Sequence, residues 1–184
     1  MRAGHGSPPL LCTLMTVKPT TIAVALAATL FAPACGSVSP LTPPLTHVYP
    51  SADSLARAVL GSLASKDRAS LDALALSEQE FRDHVWPDLP ASRPERNLPF
   101  SYVWGDLRQK SQSGLSATLS AHGGKRYELV RVTFKGDTPY ADYRVHRDAT
   151  FRVTIASGEE VDLRVCGSML EKEGAWKVFS YVVD

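Results

Sequence analysis

His84, His122 and His146 are the imidazoles best placed to do chemistry, and their spacing limits what they can do. No HxxxH or HxH pair occurs and no carboxylate stands at ligand spacing, so no metal site and no cofactor is expected. Ser51, Ser54, Ser65 and the other serines lack the GxSxG elbow that presents a nucleophile, which argues against a hydrolase triad. Cys166 stands alone, with Arg164 the only cation near it in sequence, and suits a small buried strand residue better than a reactive thiol. Arg131, Arg144, Arg152 and Arg164 fall on successive predicted strands, interleaved with Asp162 and Glu128. Cross-strand charge pairing on a solvated face accounts for such a ladder, an anion-binding patch being the alternative.

A different chemistry is written before Cys35. Lys18 is followed by an apolar stretch over 21–32, then by small residues at Ala32 and Ala34 directly before the cysteine. That is the n-region, h-region and cleavage-site order of an export signal, and the stretch is too short for the roughly 20 residues a membrane span needs. Residues 1–14 hold two prolines, two glycines and Cys12 and make no n-region, so Met15 is the expected start of a signal peptide covering residues up to 34. The ending resembles a bacterial lipoprotein signal. The resemblance implies that Cys35 receives a diacylglycerol with palmitate-type acyl chains, and becomes the N-terminus of a protein anchored in the cell envelope. Gly36 in the next position resembles signals that allow transfer to an outer membrane, facing the periplasm, where the host has one.

The body must then position whatever else the chain does. Residues 35–50 are rich in Pro, Ser and Thr and are expected to be a stiff tether outside the core. One domain, 51–184, is expected to follow. Loss of Arg2 and Lys18 with the signal turns the net charge of +1 into −1, which argues against a nucleic-acid partner. Ser51 or Asp53 caps a predicted first helix through Leu55, Val59, Leu60 and Leu63; Asp67 caps a second; Ser77 and Glu80 have capping-box spacing for a third, stopped by Pro87. A long proline-punctuated loop carries Trp86, Phe100, Tyr102 and Trp104, and Asp106 is the expected cap of a helix ending at Gly123-Gly124. Five strands are predicted over 127–135, 140–147, 149–155, 161–170 and 176–183, with turns at Gly136-Asp137, Ser157-Gly158 and Glu173-Gly174; at 146–148 a bulge in a continuous strand is the alternative to a break. Both faces of the last strand are apolar and should be covered.

This order of elements resembles the nuclear-transport-factor-like, SnoaL-like and ketosteroid-isomerase-like α+β cone, over 51–184. The segment 63–71, with Leu63, Asp67 and Leu71, resembles the family's first helix hairpin, and 170–181, with Gly174, Trp176 and Tyr181, its closing β-hairpin. The resemblance implies N-terminal helices packed on a curved antiparallel sheet of about five strands, and a conical apolar pocket. Some members use that pocket as an active site and many to bind or to form a homodimer. An isomerase or hydratase of this kind would need a pocket carboxylate or histidine with tyrosine hydroxyls. Asp162, Asp184, Tyr143 and Tyr181 have the right chemistry, but none is matched to a catalytic position. The leading expectation is a non-catalytic envelope lipoprotein binding a small apolar ligand or an envelope protein, with the enzyme as the alternative. The candidate pocket residues are His84, Trp86, Tyr102, Trp104, Tyr140 and Tyr181. For the aromatic group Trp86, Phe100, Tyr102, Trp104 and Tyr140, plugging an open end of the cone is the leading reading and lining a ligand pocket the alternative.

Overall fold

The structure, a computed structural model, describes residues 42–182. The expected signal segment, Cys35 and the start of the tether lie outside the described residues, as does Asp184. Ser51 opens α1 (Ala52–Ala64) with a reciprocal cap: its hydroxyl accepts from the Ser54 N–H and its own N–H donates to the Ser54 hydroxyl, both at 3.1 Å. Asp67 caps α2 (Arg68–Leu74) through the Ser70 N–H at 3.0 Å, and Ser77 with Glu80 forms the expected capping box on α3 (Glu78–Glu80). The chain then widens into a π-type turn, Phe81–Val85, and steps through three 3-10 turns, Trp86–Asp88, Pro90–Ser92 and Pro94–Arg96. Each 3-10 turn carries a proline in its first two positions, where an N–H would go unused.

The last helix, α4 (Phe100–His122), starts directly after Pro99 and not at Asp106. The residues read as an aromatic loop are therefore helical from Phe100 onward. Phe100 and Trp104, four residues apart, share a face turned to Phe81, whereas Tyr102 points away and is 66% exposed.

Seven strands follow: β1 (Glu128–Thr133), β2 (Gly136–Pro139), β3 (Arg144–Arg147), β4 (Thr150–Thr154), β5 (Glu160–Leu163), β6 (Ser168–Lys172) and β7 (Ala175–Ser180). They form two antiparallel sheets, β1-β4-β5 and β2-β3-β6-β7, in place of one sheet of about five strands. The sheets are two halves of one bent meander. β1 runs on into β2, β3 into β4 and β5 into β6, and the Lys135 N–H to Arg147 carbonyl bond (3.2 Å) and Ala149 N–H to Gly167 carbonyl bond (3.1 Å) carry the ladders into the bend. Asp148 makes its corner at φ 53°, a left-handed conformation that a short polar side chain tolerates. At Gly167 a Cβ would run into the Val182 carbonyl, so the close approach there requires glycine. Gly136-Asp137, read as a turn, lies within β2, where Asp137 sits opposite His146 and its carboxylate meets Arg144; the reversal comes later, closed by Tyr140 N–H to Tyr143 carbonyl at 2.8 Å.

The last strand has both faces covered, as its sequence requires. Val178, with Met169, faces the main core of Leu55, Val59, Leu63, Leu71, Phe151 and Tyr181, and Phe179 packs on a second core of Leu76, Phe81, Val85, Tyr143, Val145 and Leu170. The outer edge of β7 is also covered. Tyr49 exchanges two backbone bonds with Trp176 (2.9 and 2.7 Å), and the Leu76 N–H donates to the Val178 carbonyl at 3.1 Å. Such covering keeps an edge strand from pairing with a second chain.

Tyr49 also corrects the expected domain boundary. Residues 45–49, assigned to the tether, strap across the body: Leu45 packs on the second core and Thr46 is bonded through its N–H, hydroxyl and carbonyl to Glu80 and Lys177. The tether reading followed the prolines and missed that one polar residue could serve two buried charges. A chain starting at Ser51 leaves those charges short of partners and uncovers β7. It is expected to lose about 3 kcal/mol or more of unfolding free energy in urea titration relative to a chain starting at residue 40, since each unsatisfied buried group costs about 1–3 kcal/mol.

Candidate functional site

The six expected pocket residues do not converge. Tyr181 is fully buried in the main core, with its hydroxyl donating to the Leu71 carbonyl at 2.7 Å. Trp86 and Trp104 belong instead to the second core, Trp86 edge-on to Phe100 at 5.5 Å and Trp104 against Phe81 at 5.3 Å. Tyr140 stacks on Tyr143 at 4.5 Å, and the Tyr143 hydroxyl donates to the Val85 carbonyl at 3.1 Å. His84 sits at the strap, its Nε2 2.7 Å from the Pro43 carbonyl. Tyr102 is exposed and lines none of the grooves described below. Phe100, Trp104 and Phe179 thus pack around Phe81, 1% exposed, with Trp86 edge-on to Phe100, and make a filled plug. Burial pushes the Tyr143 and Tyr181 hydroxyls well above the usual tyrosine range, and holds the Cys166 thiol up at about 12.

A buried polar assembly lies beside that plug. Lys177 is 1% exposed, and its ammonium donates to the Thr46 carbonyl at 2.6 Å and the Ala73 carbonyl at 3.1 Å, with Glu80 Oε1 at 3.4 Å. Glu80 in turn accepts from the Thr46 N–H (2.7 Å), the Thr46 hydroxyl (2.9 Å) and the Ser77 N–H (2.8 Å). A groove of about 740 Å³ lies over the pair, edged by Trp104 and by Asp72, which Arg108 grips with both terminal nitrogens at 2.9 and 2.8 Å. Burial pushes the Glu80 carboxyl up, but the backbone N–H groups of Ser77 and Thr46, then Lys177, outweigh it and hold the carboxyl below the usual glutamate value. Burial moves the Lys177 ammonium below the usual lysine range, against the pull of Glu80.

Sequence reasoning missed this assembly, although a signal was present. Lys177 sits between Trp176 and Val178 on a strand whose two faces were both expected to be covered, so it had to be buried and had to find a carboxylate. The arginine ladder resolves into separate pairs. Arg144 meets Asp137, Arg152 meets Asp162 at 2.9 Å and Arg164 meets Asp148 at 3.3 Å, while Arg131 lies opposite Arg152. His146 lies between Phe134 and Trp176, with ring centroids at 4.9 and 4.6 Å; burial pushes its imidazole below the usual range, with Glu171 pulling the other way at 3.9 Å. No group of three His, Cys, Asp or Glu able to hold a metal occurs among the described residues.

Three further grooves open among the described residues. One of about 530 Å³ lies beside the strap, where His84 lines it with Leu45, Asp142 and Lys172. A second of about 530 Å³ lies between α4 and the bend of the sheet, over Phe81, Leu107 and Phe179. The third, about 760 Å³, runs between α1 and β1 and on to the β4–β5 turn, remote from the buried pair. No protein-family model, curated protein or solved structure matches the chain.

Acid stability follows from Glu80. Its lowered pKa contributes stability that is fully present above about 4.5, its unfolded value, and is lost as the pH falls through the folded value. Urea titrations between pH 7 and pH 3 are expected to show that loss in the wild type. Glu80→Gln should show a shallower one, leaving the share of Asp72, whose carboxyl Arg108 holds low.

Proposed function

We propose that the chain is a lipid-anchored, non-catalytic protein of the cell envelope whose body binds its ligand without transforming it. One observation carries the non-catalytic part. The tyrosine hydroxyls that an isomerase or hydratase would aim at an enolate, those of Tyr143 and Tyr181, are buried and donate to the carbonyls of Val85 and Leu71. Each is occupied in holding a helix or turn against the sheet, and neither is directed at a groove. The bent meander over α1 and α2 supports an affinity with the SnoaL-like cone, with the interior filled by Leu55, Leu71, Met169 and Tyr181 in place of a deep pocket. Binding therefore falls to the outer grooves.

Anchoring rests on the export signal that ends at Cys35. No helix among the described residues is long and apolar enough to cross a membrane. Metabolic labelling with an alkyne fatty acid is expected to mark the wild type in the membrane fraction and to leave Cys35→Ala unmarked. Equal labelling of both would contradict the anchor.

A further inference from the structure

The groove beside α1 is built from one face of that helix. Arg57, Leu60, Gly61 and Ala64, at spacings of three and four, line one wall; Arg126 and Leu129 stand at the start of β1, and Ile155 closes the end at the β4–β5 turn. Three features give it the character of a ligand site. Its floor is apolar and its volume, about 760 Å³, lies within the range of small-molecule pockets. At Gly61 the groove reaches the helix backbone, where a Cβ would meet nothing within 4 Å. Neither Arg57 nor Arg126 has an ion-pair partner among the described residues, whereas other arginines nearby on the sheet, Arg152 and Arg164, are each paired with an aspartate.

We propose that this groove binds a single-chain anionic amphiphile of the fatty-acid type. Its chain lies along Leu60, Ala64, Leu129 and Ile155, and its carboxylate is taken by Arg57 and Arg126. Guanidinium groups suit that head because their planar donors match a carboxylate. Glu128 also lines the groove, so two cations face one carboxylate and the net charge of +1 fits a monoanion better than a polyanion. The inference rests on the non-catalytic binding role and gives it a ligand class.

Fluorescence titration with 11-(dansylamino)undecanoate tests the proposal, using the full chain held in phosphatidylcholine nanodiscs if it carries an anchor and in buffer if it does not. Failure of the anchor is thereby read separately from failure of the groove. Saturable binding is expected in the wild type and in Gly61→Ala, with no binding in Gly61→Trp, whose indole fills the open space. Arg57→Ala with Arg126→Ala should weaken binding about tenfold or more, the loss of charge-assisted contacts, and the methyl ester of the probe should bind as weakly to the wild type. Circular dichroism and urea titration establish that each variant is folded. Absence of saturable wild-type binding, equal affinity for the ester, or undiminished binding by folded Gly61→Trp would overturn the proposal. So would binding to phosphatidylglycerol vesicles without binding of the free probe, which would make the partner a membrane surface.

Discussion

Lys177 carries its ammonium into the interior, and much of the fold is arranged around keeping that charge satisfied. A lone buried cation would cost several kcal/mol. Here three separate stretches of chain supply its partners: the strap through the Thr46 carbonyl, the end of α2 through the Ala73 carbonyl, and α3 through Glu80. Glu80 closes the arrangement by accepting from Thr46 and from the Ser77 N–H that opens its own helix. Displacing the strap, α2, α3 or β7 strands a charge, so the pair acts as a register for all four. The hydrophobic faces of these segments would tolerate sliding; the ion pair does not.

The same lock explains how the edge of the sheet is finished. With Thr46 fixed, Tyr49 lands opposite Trp176 and takes its free backbone groups, and with α2 fixed, Leu76 reaches Val178. The other edges are protected by simpler means. β2 is short and carries Pro139, β1 gives its Val132 N–H to Asp53 at 3.2 Å, and β5 exposes Glu160 and Asp162.

Local chemistry was legible in the sequence wherever a signal acted within a few residues. The caps at Ser51, Asp67 and Ser77, the helix end at Gly123-Gly124 and the hairpin turns at Gly158 and Gly174 all follow from side chain and backbone a few positions apart. Errors arose where a distant contact decided. Gly136-Asp137 looks like a turn, but pairing opposite Arg147 and His146 keeps both residues in β2. The prolines from Pro87 to Pro99 suggested loop up to Asp106, whereas α4 starts immediately after the last of them. Residues 45–49 look like tether because the groups that hold them, Glu80 and Lys177, lie more than 30 and more than 120 positions away. The expected pocket failed for a related reason: aromatic content marked the residues that pack, but not whether they pack on one another or around a void. Phe81, which had no place among the candidates, is the side chain against which Phe100, Trp104 and Phe179 pack.

A double-mutant cycle on Glu80 and Lys177 tests this account most directly, with unfolding free energies from urea titration at pH 7. Glu80→Gln and Lys177→Met are each expected to cost about 3 to 5 kcal/mol by leaving the partner charge buried and unpaired. The double variant should cost at least about 2 kcal/mol less than the sum of the two, because neither charge then remains to be stranded. Additive losses, within about 0.5 kcal/mol, would show that the two charges are satisfied independently and that the pair does not hold the strap, α3 and β7 in register.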